Sequence, residues 1–301
     1  MVDITLLTCK AYLHPKPGNA YVENIFQEYH LLKEALEGEG LTVARTNWDD
    51  PEYDWSQTRA VVFRTVWDYF ERFNEFLSWL QEVEKKTQLI NPYSLLSWNV
   101  DKHYLKDLAA KGIQIIPTHF VDRGKHERLS QICEQHQWKD IVIKPAVSGA
   151  AFLTYKIEAN EIPKKEGLFQ QLVTERDMLV QEYQETITEM GEASLMVFNG
   201  QYTHAILKKA KAGDFRVQDD FGGTVHPYTP TAEEIAFAER VFEVCDPVPA
   251  YGRADIVWDQ NRNCYLSELE IVEPELWLRN HPASAQSFAA GIIAHLNSPK
   301  K

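Results

Sequence analysis

Asp255, Glu268 and Glu270 raise the first chemical question in this chain. Glu268 and Glu270 stand two apart in an apolar run, so on a strand their carboxylates share one face while Leu269 and Ile271 take the other. The turn-rich Asp259-Gln260-Asn261-Arg262-Asn263 makes 251–258 and 264–272 a predicted hairpin. Simple register sets Asp255 opposite residue 267 or 268. Three carboxylates on one face repel one another unless a cation lies among them, and hard oxygen donors of this kind suit Mg²⁺ bridging substrate phosphates. The other reading is a set of acids on a solvated sheet face. The apolar neighbours favour the metal site.

Cations gather at other points. Lys208, Lys209, Lys211 and Arg216 lie close together against one acid, Asp214, and the segment runs into Asp219-Asp220-Phe221-Gly222-Gly223. Glycines let backbone N–H groups approach an anion, so Gly213–Gly223 reads as a loop closing over a metal–polyphosphate, or as a solvated face. Lys144 interrupts the apolar strand Asp140–Pro145, where a buried ammonium needs an anionic partner. Ser148-Gly149-Ala150-Ala151 follows it, small residues of the kind needed where backbone nears phosphate. Lys102 falls early in a predicted helix. Singly, each lysine reads as structural. No P-loop, dinucleotide or G-x-S-x-G motif occurs, and Ser130 breaks the zinc pattern begun by His126-Glu127.

The elements that must position these groups follow from periodicity. Ile4–Cys9, Leu41–Thr46, Ala60–Trp67 and a short strand at Leu89-Ile90 alternate with helices over Val22–Leu36 and from Phe73 to Leu80. That alternation predicts an α/β lobe with a parallel sheet covered on both faces, and Asn91-Pro92 marks its end. A helix from Tyr93 toward Gly112, a helix over 126–138 and the strand Asp140–Pro145 come next. Strand-like runs then dominate (Phe152–Ile157, Met178–Tyr183, Ala193–Phe198, Tyr202–Lys208), with helices near 163–175, 231–244 and 284–297. The expected division is 1–92, 93–184 and 185–301.

Ligands gather at the carboxyl ends of strands in such sheets. The loop after the first strand offers His14, Lys16 and Asn19, and the third strand ends at Arg64 and Asp68. Arg64 can clamp a substrate carboxylate bidentately, or Arg64 and Asp68 can form a structural pair. A net charge of −13 over 301 residues speaks against a nucleic-acid or anionic-membrane binder. Four cysteines without a C-x-x-C pair, no secretory n-region and no long apolar span lead to an expected soluble, cytoplasmic protein.

Taken in order, Asp101-Lys102, Ile143-Lys144-Pro145 with Ser148-Gly149, Gln181-Glu182-Tyr183, Asp214-Phe215-Arg216 and Asp255…Glu268-Leu269-Glu270 resemble the ATP-grasp superfamily of carboxylate–amine ligases. The resemblance covers residues 95–275. It extends to glutathione synthetase-like enzymes, D-alanine–D-alanine ligase and above all D-cycloserine synthetase-like enzymes. The last are similar through Arg64-Thr65-Val66-Trp67-Asp68-Tyr69, Gly213–Val217 and the run from Glu268 into Glu273-Pro274. The fold it implies is an α/β ATP-grasp fold, with an N-terminal parallel-sheet pre-ATP-grasp domain and nucleotide bound between two α+β lobes.

By the same resemblance Lys102 and Lys144 contact ATP phosphates, and Gln181, Glu182 and Tyr183 form the hinge whose backbone reads adenine. Glu192 binds the ribose hydroxyls, with Glu189 as the fallback. Lys208 and Arg216 meet the γ-phosphate and the acyl phosphate, while Asp255, Glu268 and Glu270 hold two Mg²⁺. Glu270 stands where the family has Asn, and the Ser148–Ala151 loop has fewer glycines than many relatives. The implied reaction activates a small amino-acid-like carboxylate as an acyl phosphate for attack by an amine or related nucleophile, releasing ADP. A small-molecule phosphotransferase and a nucleotide-binding regulatory protein without turnover stand as alternatives. Many relatives are homodimers, although no interface stands out here.

Overall fold

The structure, a computed structural model, describes residues 1–16, 18–217 and 222–297; Asp219, Asp220 and Phe221 of the expected closing loop lie outside the described residues. The chain opens with β1 (Val2–Thr8), α1 (Lys10–Leu13), α2 (Ala20–Gly38), β2 (Val43–Asn47), β3 (Thr58–Thr65), α3 (Phe73–Val83) and β4 (Gln88–Ile90). The strands pair in parallel in the order β2-β1-β3-β4. Alternate side chains leave on opposite faces. Leu7, Val61 and Phe63 pack under Phe76 and Leu80 of α3, while Ile4, Leu6, Ala60 and Val62 face Leu32 and Leu36 of α2.

The single helix expected from Tyr93 is two, α4 (Tyr93–Asn99) and α5 (Tyr104–Ala110). Between them Asp101 accepts the His103 N–H at 2.9 Å, and the Lys102 N–H crosses to the Ala146 carbonyl at 2.9 Å. A side chain that bonds its own backbone competes with the helix ladder in this way. There follow β5 (Thr118–Val121), α6 (Leu129–His136), β6 (Ile141–Pro145), β7 (Tyr155–Ile157), α7 (Ile162–Glu175) and β8 (Met178–Glu182). These strands form a second, antiparallel sheet in the order β5-β8-β6-β7. The strand expected from Phe152 begins only at Tyr155, because Ala150, Ala151 and Leu153 hold left-handed φ values of 46°, 53° and 49°.

The third sheet collects α8 (Thr186–Glu189), β9 (Glu192–Phe198), β10 (Gln201–Lys209), β11 (Thr224–Tyr228), α9 (Ala232–Glu243), β12 (Tyr251–Trp258), β13 (Cys264–Glu270) and finally α10 (Ser284–Leu296) around it. Its strand order is β11-β10-β9-β12-β13, antiparallel throughout. One face (Leu195, Val197, Ala254, Ile256, Leu269, Ile271) packs on Val241 and Phe242 of α9. Each such fully buried aliphatic side chain contributes about 1.5–3 kcal/mol. The opposite face is charged around Asp255 and apolar at Met196, Phe198, Ile206 and Tyr251, where α10 packs.

Edge strand β13 is covered. Asn99 donates to the Leu269 carbonyl at 2.8 Å and accepts the Ile271 N–H, and the Tyr104 hydroxyl accepts the Leu269 N–H at 2.9 Å. Asn91 donates to the carbonyls of Tyr251 and Ile271 and accepts the Ala250 N–H. Gly252 of β12 permits close packing there: a Cβ would sit 2.6 Å from the Ile271 side chain and 2.8 Å from the Glu270 carbonyl. Helix α10 packs into a core shared by the first and third sheets. Among the described residues no helix is long and apolar enough to cross a membrane.

Candidate active site

Strand register builds the charged face. Lys208 lies opposite Glu192, Asp255 opposite both Ser194 and Glu268, and Arg253 opposite Glu270. The predicted hairpin register thus brings Asp255 to Glu268. Asp255 is 2% exposed and accepts four bonds: from Ser194 Oγ (2.5 Å), Lys208 Nζ (3.1 Å) and Arg253 Nε and Nη2 (2.8 Å each). Arg253 also reaches Glu270 at 2.6 Å, and Lys208 reaches Glu192 at 2.5 Å. Lys102 bridges Glu268 (2.9 Å) and the Ser148 carbonyl (2.8 Å).

Burial works against charge at each acid, and the neighbours decide the outcome. Arg253 and Lys208 hold Asp255 well below the usual carboxylate range, and Lys102 and Lys144 hold Glu268 below its ordinary value. Burial pushes Glu270 up to about 7; Arg253 opposes this, while Glu268 and Asp255 repel it further. Burial and Glu270 lift Glu273 to about 8. Oxygens of Asp255, Glu268 and Glu270 lie within 4.8 Å of one another, and the Glu268 and Glu270 side chains keep 28% and 26% of their surface open to the cleft. This hard-donor set suits a divalent cation such as Mg²⁺.

The cleft in front of this face has a volume of about 450 Å³. Its far wall is Lys144, Ser148 and Gly149 of the second sheet and its loop, and Gln181, Glu182 and Gln184 at the end of β8. Burial lowers the pKa of Lys144, which makes no ion pair among the described residues. Gly149 runs beneath Phe70 of the first lobe; a Cβ would sit 2.9 Å from the Phe70 ring, which lies 5.7 Å from that of Phe152.

Two family models match most of this chain. Residues 4–91 match the model described as D-cycloserine synthetase DcsG, N-terminal domain, and residues 101–275 match the RimK-like ATP-grasp domain. The chain belongs to the ATP-grasp family. It is similar to the cycloserine biosynthesis protein DcsG of Streptomyces lavendulae, with 32% identity over 286 residues, 88% of this chain and 92% of that protein. The crystal structure of D-cycloserine synthetase DcsG shares the fold with a TM-score of 0.84 and 28% identity, over 98% of this chain and 99% of that one. The ATP-grasp ligase PsnB, solved with a minimal precursor, Mg and ADP, shares the fold alone, at 14% identity and a TM-score of 0.62 over 98% of each chain. Family membership makes this ATP-grasp chain an ATP-dependent ligase in general terms.

Most residues singled out in the sequence meet in the cleft of this ATP-grasp fold; Glu192, Lys208 and Arg216 line it beside the three acids. Others do not. Tyr183 turns from the cleft, its ring under the Lys156 ammonium at 3.9 Å and its N–H on the Asp140 carbonyl. The Glu182 N–H likewise donates within the chain, to the Pro117 carbonyl. Glu189, on one turn of helix, is exposed, as are His14 and Lys16. Asn19 caps α2 through the Tyr21 N–H. Asp68 pairs with Trp48 Nε1 and Arg72 rather than with Arg64.

The loop and strand end expected to meet substrate do reach the cleft, through Tyr21 of that loop and through Tyr12 and Trp67. Arg253 was missed, although an arginine two before Asp255 on a strand must share its face. Its guanidinium meets the charge of Glu270, the acid that stands where the resemblance leads one to expect Asn. Trp277, with left-handed φ of 45°, lies 5.1 Å from the Arg253 guanidinium carbon and was also missed; no local pattern signals it.

Proposed function

We propose that the chain is an ADP-forming, Mg²⁺-dependent ligase that activates a small amino-acid-like carboxylate and joins it to an amine or related nucleophile. The carrying observation is one cleft in which Lys102, Lys144, Lys208 and Arg253 surround three carboxylates. Bound Mg²⁺ supplies charge neutralisation between those carboxylates and the nucleotide phosphates. Asp255, Glu268 and Glu270 would hold it, beside the Arg253 guanidinium that pairs with the first and last of them.

A phosphate gives Lys144 the counter-charge that its buried ammonium lacks, and Lys102 shares that phosphate from beside the Ser148–Gly149 loop. Segment 181–184 receives adenine, and Glu192 takes the ribose hydroxyls. A substrate carboxylate oxygen bonds to the γ-phosphorus, and ADP leaves with the electron pair of the broken P–O bond. The nucleophile's nitrogen then bonds to the acyl carbon, loses a proton, and inorganic phosphate leaves. Lys208, Arg216 and Arg253 stabilise charge on the transferring group and on the tetrahedral oxygen. Positioning supplies the rest, so no Ser or Cys nucleophile is needed. In the same reading, residues 1–92 contact substrate, 93–184 form the central lobe and 185–301 the lobe carrying the metal.

ADP release with Mg²⁺ over a panel of amino acids, with and without an amine, tests this directly. Carboxylate-dependent hydrolysis that never yields an amide would sink it. Glu268→Gln should lower turnover by about 100-fold or more while the thermal transition stays within a few degrees; an active Glu268→Gln enzyme removes the metal assignment.

A further inference from the structure

Behind the cleft, under the carboxyl ends of β1 and β3, lies a recess of about 30 Å³. Tyr21, Trp67 and Glu275 line both spaces, so the recess adjoins the cleft. Its inner wall is Leu6, Leu7, Ile25 and Leu32, and Arg64 projects into it.

The other charged side chains that line the recess, Glu28, Arg45 and Glu275, already have partners. Arg279 pairs with Glu28 (3.1 Å) and Glu275 (2.7 Å), and Glu28 also accepts the Leu278 N–H. Arg45 donates to the Tyr12 carbonyl at 2.9 Å between the rings of Phe26 and Tyr29. Arg64 makes no hydrogen bond or ion pair within the described residues: its guanidinium rests 5.3 Å from the Phe288 ring centre, and its buried Nη1 has no acceptor. A buried donor without an acceptor is costly, so a donor held this way is built for an acceptor brought from outside.

We infer that the recess is a tail subsite, in which Arg64 receives an oxygen acceptor, carboxylate or carbonyl, at the substrate end remote from the reacting carboxylate. This rests on the ligase reading and narrows its substrate to a small acid functional at both ends. The recess holds one carboxyl-sized group and ends on leucine side chains, so a ring or a continuing peptide does not fit at that end.

Calorimetric titration of the MgADP-loaded protein tests it, using succinate, glutarate and adipate, their monoamides, and butyrate, valerate and hexanoate as one-ended controls. At least one two-ended acid should bind about 10- to 100-fold tighter than the one-ended acid of matching length. Arg64→Met should abolish that gain while MgADP affinity holds. A monoamide equal to its diacid identifies a carbonyl tail; a tighter diacid identifies a carboxylate. Equal affinity for one- and two-ended acids, or a gain that survives Arg64→Met, overturns the inference. The wild-type series decides by itself if the variant does not fold. Wild-type enzyme that releases ADP with a carboxylate yet shows no tail preference refutes the subsite alone, whereas loss of nucleotide binding would refute the ligase reading.

Discussion

Arg253 holds two carboxylates at once, and its removal would leave buried Asp255 and half-buried Glu270 with less opposing charge. Breaking a buried pair by deleting one partner costs about 3–5 kcal/mol. Arg253→Met should therefore lower the urea midpoint by that equivalent, and added Mg²⁺ should restore part of it; a midpoint unchanged without metal would contradict this charge balance. His204 gives a pH signature. Burial lowers its pKa to about 4, while its ring bonds the Leu276 carbonyl (2.7 Å) and Thr203 (3.0 Å). Below the unfolded value near 6.5 the unfolded chain binds a proton that the folded chain resists. Its contribution is complete above that pH and is lost as pH falls toward 4, on the order of 3 kcal/mol. Urea unfolding at pH 7.5 and 4.5 should show a smaller difference in His204→Gln than in wild type.

The elements explain which site residues could be read without coordinates. Glu268 and Glu270 were legible because a period of two on an apolar strand leaves one orientation, and the hairpin turn then brings Asp255 to them. Loops carry no such period. His14, Lys16 and Asn19 were chosen for their polarity, whereas the fold of that loop turns Tyr12 and Tyr21 inward. Arg64 and Asp68, read as a substrate clamp or a structural pair, do not pair with each other: Asp68 turns to Trp48 and Arg72, since chain proximity says nothing of direction beyond a strand end. The β12–β13 pair depends on Gly252, whose missing Cβ leaves room for Ile271 and the Glu270 carbonyl. Gly252→Ala should cost about 1–3 kcal/mol by overpacking and displace the acids. Calorimetric unfolding together with ADP release would show both losses; a stable, fully active variant would mean that β13 is not fixed from behind.

Across the molecule, the order of the lobes was legible from alternation and motif order, while their joining was not. Helix α10 buries one face (Ala285, Phe288, Ala289, Ile292 and Leu296) and exposes Gln286, Ser287 and Ala290, an amphipathic pattern that does not tell that it packs into a core shared by the first and third sheets. Asn91, legible only as a boundary, is a junction: its side chain serves three backbone groups of 250, 251 and 271. Asn91→Leu should destabilise by about 1–3 kcal/mol for each group left unmet, with one cooperative transition shifted downward in scanning calorimetry. A second, separate transition would show that the first sheet unfolds independently.

Phe70 belongs to the first lobe yet forms the ceiling over Gly149, and its ring meets Phe152. This contact sets a rule for recombination. A chimera that takes residues 1–91 from a relative to change its substrate also replaces the surface against which residues 149–152 rest. Exchanging the two segments as one unit keeps that surface and its loop together.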